Sequence, residues 1–261
     1  MSIKDLETLN GNLQHMLALK LQALRSQGPD AAKVLELARG YRQLGCGLLL
    51  ATYDREDFFQ CLFRAADAYL QFLEFQGARK ELDPYYLARS RGTPLLDALA
   101  IGELRLAHRM GGHMAPRWTE GMEYEDDFCF FDVLPEFAAT QPDESLLRQK
   151  LDRMERALEG AGSARFDILQ AIASRDEARF EEALGALVEQ WAEQVEKKRE
   201  TSPSPLGRAF TLTEANVFIE GLALAQLAHR RGMRLRSEYR YVPPGLMGYS
   251  FSPPPRLSIW S

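Results

Sequence analysis

Leucines set the rhythm at the start of the chain. Leu6, Leu9, Leu13, Leu17, Leu21 and Leu24 recur at helical spacing, which predicts an amphipathic helix over 4–26, broken by Gly28 and Pro29. Asp30 is placed to cap a second helix that turns Val34, Leu37, Tyr41, Leu44 and Leu48 inward. Asp54 opens a third, with Phe58, Leu62, Ala65, Tyr69 and Leu73 on one side and Gly77 at its end. Residues 78–92 carry no long pattern beyond a turn of helix around Tyr85 to Ala88. Thr93 and Pro94 then read as the cap and first-position proline of a helix that runs through Leu99 and Leu104 to a stop at Gly111 and Gly112.

Residues 111–127 (GGHMAPRWTEGMEYEDD) form a polar, aromatic and acidic connection. Apolar residues return at 128–138 as a further helix, in which Pro135 fits only near a start or at a break. Another helix fits 143–159, ending at Gly160. Segments 164–173 and 176–198 read as an αα-hairpin around a tight Ser174-Arg175-Asp176 turn, and Phe180, Leu184, Leu187, Trp191 and Val195 mark the inner face of its second arm. Residues 201–207 are expected to be a loop. Thr211 and Glu214 are expected to form a capping box for a helix over 212–231. That helix is apolar nearly all round, with small Gly221, Ala223 and Ala225, and should be central. His229, Arg230 and Arg231 suit its C-terminal end, and Gly232 a left-handed residue after it. The tail, 233–261, mixes prolines at 243, 244, 253, 254 and 255 with Tyr239, Tyr241, Tyr249, Phe251 and Trp260, so it is expected to lie extended over the helices. No alternating β-branched run predicts a sheet. The expected fold is all-α: a single multi-helix bundle spanning 1–261, with an extended proline-rich C-terminal tail over 233–261 packed on it.

Composition narrows the function. With 261 residues, 46% of them hydrophobic, the chain can bury one large core. A net charge of −5 opposes phosphate neutralisation, so direct nucleic-acid binding is not expected and a basic protein partner is. The opening MSIKDLETLN has no apolar signal region. No apolar run approaches the ~18 residues of a membrane span, so a cytoplasmic protein is expected. Cys46, Cys61 and Cys129 lack CxxC spacing and read as buried thiols rather than a disulfide framework or a zinc site.

Catalytic motifs do not appear. His15, His108, His113 and His229 stand in no Glu-x-x-His or HExxH pattern. GxSxG, GxGxxG and Walker A motifs are missing, and Gly45-Cys46-Gly47 reads as a close-packing spot. The reading is therefore no enzyme, no cofactor and no metal, with a dispersed Cys–His or Ser–His–Asp arrangement left open. The 166–190 hairpin resembles a helical-repeat unit, but no second copy follows at a period near ~34 residues.

One region stands out. Residues 118–132 hold Trp118, Glu120, Met122, Glu123, Tyr124, Glu125, Asp126, Asp127, Phe128 and Asp132, with only Arg117 beside them as a cation. They could be a solvated loop whose aromatics anchor it to the core. They could be an acidic, aromatic contact surface, with aromatics as anchors and carboxylates for steering. A metal-binding carboxylate cluster is the third reading, without the spacing of a calcium loop. The candidate partner-binding residues are Trp118, Glu120, Glu123, Tyr124, Glu125, Asp126 and Asp127. Mutual repulsion among their carboxylates argues for a cationic partner.

The C-terminal third carries a resemblance. The hairpin FDILQAIASRDEARFEEAL, then FIEGLALAQLAHRRGM, then EYRYVPPGLM, resembles the helical immunity proteins of bacterial polymorphic toxin systems, and the immunity protein 49 family in particular. The matching residues are Arg175, Asp176, Phe180, Ala183 and Leu184; Leu227, Ala228, Arg230, Arg231 and Gly232; and Tyr241, Pro243 and Leu246. In the N-terminal half only GYRQLGCGLLLA is loosely similar. These motifs are structural and carry no functional residues over. The resemblance implies an antitoxin that binds a cognate toxin protein, encoded by the adjacent gene, and neutralises it by stoichiometric occlusion. An inhibitor confined to the cytosol suits a toxin acting there, and an acidic one suits a basic nuclease. A helical adaptor or chaperone for effector secretion is the alternative. It would share the fold and charge but protect no cell.

Overall fold

A computed structural model of the protein describes residues 3–77, 84–201, 205–235, 238–243 and 245–260. Residues 78–83, residues 202–204 of the expected loop, and residues 236–237, 244 and 261 of the expected tail lie outside the described residues. The first three helices, α1 (Ile3–Gln27), α2 (Ala31–Thr52) and α3 (Arg55–Gly77), pack in sequence order. Gly28, at φ +83°, turns the chain out of α1. The Asp30 carboxylate then accepts from the Lys33 N–H at 2.9 Å to start α2. Asp54 does the same for α3 through the Asp57 N–H. The glycines of the Gly45-Cys46-Gly47 triplet are packing positions. A Cβ on Gly45 would sit 2.8 Å from Cys61 Cβ of α3, and one on Gly47 would sit 2.1 Å from the Asn10 amide of α1.

The next stretch corrects several expectations. A short α4 (Pro84–Leu87) and a 3-10 turn at Arg89–Arg91 lead into α5 (Pro94–Ala100), which stops well before Leu104. Gly102 at φ +75° breaks the chain, and α6 (Leu104–His113) restarts and runs through both glycines expected to stop it. Thr93 precedes Pro94 as expected, but its backbone is already helical and its hydroxyl caps nothing. Gly111 instead permits a close helix crossing, since a Cβ there would meet the Pro135 ring at 2.3 Å. That proline lies inside the last turn of α7 (Glu125–Phe137), not at a start or a break. So near the helix end it forgoes only the bond to the Phe131 carbonyl. Helix α7 also begins inside the segment read from sequence as a connection.

Asp143 caps α8 (Glu144–Ala157) through the Ser145 and Leu146 N–H groups. The hairpin of α9 (Ala164–Ser174) and α10 (Glu177–Thr201) turns at Arg175, φ +57°. The expected helix over 212–231 is split. Helix α11 (Pro205–Leu212) occupies part of the expected loop, a 3-10 turn covers Glu214–Asn216, and α12 spans Ile219–Arg230. The Thr213 hydroxyl and N–H both turn back to the Ala209 carbonyl, at 2.7 and 3.1 Å. The Phe218 N–H leaves the helical pattern to donate to the Tyr241 carbonyl at 2.8 Å. No capping box forms: the Thr211 hydroxyl donates to Gly207, and Glu214 is buried.

Gly221 to Ala228 of α12 are all buried, and the helix packs mainly on α5, which leans on α3. Arg42 locks α2 to α5 by donating to both Asp97 oxygens at 2.7 Å and to the Thr93 carbonyl at 2.9 Å. The described residues form no β-strand, only an isolated bridge between Tyr239 and Val242, so the fold is an all-α multi-helix bundle. After α12 the described residues lie against the helices with no helix or strand among them. The Gln226 amide donates to the Leu246 carbonyl at 3.1 Å, and Tyr249 and Phe251 stack on Phe59 of α3. Arg256 pairs with the buried Asp67, and Gln71 bonds the Leu257 carbonyl and the Ile259 N–H. No helix among the described residues is long and apolar enough to cross a membrane.

Candidate partner-binding surface

The acidic residues singled out in the sequence divide between a loop and the first turn of α7. Residues 114–124 link α6 to α7, and Tyr124 is the residue before its first turn. Trp118 folds this loop back by donating from Nε1 to the Glu123 carbonyl at 3.0 Å. The Glu123 carboxylate is turned inward, accepting from the N–H groups of Arg89 (3.2 Å) and Ser90 (2.8 Å). Glu125, Asp126 and Asp127 fill the first turn of α7, where the helix dipole favours negative charge.

Two of these three have partners from later in the chain. Arg153 of α8 donates to Glu125 at 2.8 Å, and its guanidinium lies 4.8 Å from the Phe128 ring centre. Arg165 of α9 joins two carboxylates. It donates to Asp127 at 2.8 Å and bidentately to Glu220 of α12 at 2.6 and 2.7 Å. Burial works against a charged Arg165. Its bonds to Glu220, aided by Asp127, more than offset this and raise its pKa above the ordinary arginine range. Burial also raises the Asp127 carboxyl, while Arg165 draws it back down. Asp132, further along α7, pairs with Arg89 at 3.0 Å and Lys150 at 3.2 Å. Repulsion among unpartnered carboxylates is therefore not the state of this segment: α8 and α9 supply the cations.

What remains outward is narrower than the sequence suggested. Glu120 and Asp126 form no ion pair among the described residues, and Met122 is 38% exposed. Tyr124, at 79%, is the most exposed large apolar side chain among the described residues. Trp118 is half-buried and holds the loop rather than facing out. The cluster faces arginines and lysine, and no group of three or more His, Cys, Asp or Glu among the described residues could hold a metal ion. All three cysteines are free and buried.

Sequence reasoning missed a cleft of about 610 Å³ between α2, the 89–91 turn, α10 and α11. Ser90 and Glu220 line it, so it shares a rim with the Glu123 and Arg165 contacts. Its side chains come from separate elements and leave no local motif to find.

Comparison with known proteins gives one result. A family model described as immunity protein 49 matches residues 22–246, well beyond the C-terminal third that carried the resemblance. No curated protein and no solved structure matches the chain. With most of its length matched, and that length folded as an all-α bundle, the chain belongs to the immunity protein 49 family, and its general role is that of an immunity protein.

Proposed function

We propose that this protein neutralises a cognate toxin by binding it one-to-one and covering its working surface with the face around Tyr124. The observation that carries the reading is the placement of Tyr124. Its ring stands in solvent at a rigid helix start, flanked by Glu120, Met122 and Asp126, instead of packing into a core that takes up most of the chain's other aromatics. An exposed tyrosine with the unpaired carboxylates Glu120 and Asp126 near it in the chain has the make-up of an interface anchor with steering charges. Glu125 and Asp127 are neutralised by their arginines, so the steering charges of this face are Glu120 and Asp126. A toxin that presents a basic, phosphate-binding surface fits this face, and a nuclease acting in the cytosol is the proposed class.

Tight antitoxin pairing needs about 12 kcal/mol of binding free energy, near a nanomolar dissociation constant. It would bury on the order of 1,600 Å². Coexpression with the product of the adjacent gene tests the reading. Rescue of growth together with a stable one-to-one complex supports it. A complex that forms without rescue would point to an adaptor or chaperone, and no complex at all would end the proposal.

A further inference from the structure

The cleft beside α10 holds cations that form no ion pair among the described residues. Arg39, Arg91 and Lys198 line it and are exposed, and none forms an ion pair with a carboxylate among the described residues. Arg91 lies 4.2 Å from the Tyr85 ring centre and Lys198 4.6 Å from that of Phe210, so two of the cations are positioned without being neutralised. Two other charged side chains in the wall are already satisfied: Arg42 by Asp97, and Glu220 by Arg165. In a chain of net charge −5, this concavity is locally positive.

The wall also contains orphaned polar atoms. Glu214 lines the cleft at 8% exposure, and its Oε1 is buried with no hydrogen-bond partner. Burial raises its carboxyl, while Arg42, Arg39 and Lys198 pull the other way. Trp191, also in the wall, has a buried Nε1 donor without a partner. Its indole stacks on Phe218 at 4.9 Å and meets the edge of Phe210 at 5.9 Å, giving the cleft an aromatic wall. Unsatisfied buried donors and acceptors are costly, and ligand sites are concavities with a few placed polar groups among aromatic walls.

We propose that this cleft binds a nucleoside phosphate. Its phosphate would lie among Arg39, Arg91 and Lys198, with its base beside Trp191 and the base's donor–acceptor edge toward Glu214 Oε1 and Trp191 Nε1. A volume of about 610 Å³ suits a ligand of that size. A free phosphate would answer the cations but not Glu214 or Trp191. An acidic side chain from a protein partner would bring a second carboxylate toward Glu214. The inference does not rest on the antitoxin reading, whose contact residues are Tyr124, Glu120 and Asp126.

The test is titration of the full chain with GMP, AMP and inorganic phosphate, followed by tryptophan fluorescence and calorimetry. Saturable quenching by a nucleotide, with inorganic phosphate clearly weaker, is expected. Arg39→Ala combined with Arg91→Ala should weaken nucleotide binding about tenfold or more, because two charge-assisted contacts are lost. Both side chains are exposed and unpaired, so folding should hold, with the melting curve as the check. Glu214→Gln should lower the preference for nucleotide over inorganic phosphate, whose own binding should tighten as a negative charge near Arg39 and Lys198 is removed. No saturation at millimolar nucleotide would overturn the proposal. So would equal affinity for inorganic phosphate, which would reduce the cleft to an anion trap, or an arginine double variant that binds as well as the parent. Toxin protection is scored separately with Tyr124→Ala, so loss of one reading leaves the other standing.

Discussion

Tyr124 and Asp127 stand three positions apart and face different environments. Asp127 is tied through Arg165 to Glu220 and so helps join α7, α9 and α12. Tyr124 touches little of the chain. Replacing Tyr124 by Ala should leave stability within about 0.5 kcal/mol of the parent, as surface changes usually do. It should instead speed dissociation of a toxin complex, since an anchor acts after encounter. Asp127→Lys should cost stability, about 0.5–3 kcal/mol, by placing a second cation against Arg165. Asp126→Lys should cost about 0.3–1 kcal/mol of stability, by placing a cation at the positive end of α7, and should slow association. Thermal unfolding separates the two aspartates, and stopped-flow mixing reads the rates. The sequence showed the acidic cluster but not its neutralisation, because Arg153 and Arg165 lie 28 and 38 positions from their partners. Only the packing of α8 and α9 against α7 brings them together.

At the scale of elements, glycine separates packing from propensity. Gly111→Ala should destabilise by about 1–3 kcal/mol, because its new methyl meets the Pro135 ring where α6 crosses α7. Gly185→Ala, within α10 with nothing near its would-be Cβ, should stabilise by about 0.5–1 kcal/mol. Chemical denaturation of the two variants measures both signs. Ala225→Arg should prevent folding, since α12 is fully covered there and offers a buried charge no partner. A folded Ala225→Arg variant with a native melting curve would contradict a central α12. The hairpin at Arg175 and the caps at Asp30 and Asp54 were legible because their chemistry is local. The breaks at 101–103 and 213–218 were not. Apolar spacing runs on across both, while the chain is turned by a left-handed Gly102 and by a bond from Phe218 to Tyr241 over twenty residues away.

Across the whole molecule, charge is sorted by place. Carboxylates gather at the start of α7, unpaired cations gather in the adjoining cleft, and Ser90 and Glu220 lie where the two regions meet. The resemblance was confined to the C-terminal third because its motifs mark turns and helix ends. The leucine-spaced helices of the first half follow a pattern that many helical proteins share, although the family match begins at residue 22. Stoichiometric neutralisation by direct binding is a property a titration can read. The most direct measurement is a titration of the purified toxin proposed as its partner with this protein, following residual toxin activity against the molar ratio. Activity should fall linearly to zero at one equivalent, with Tyr124→Ala shifting the curve toward weaker binding. Undiminished toxin activity in the presence of excess protein would contradict it.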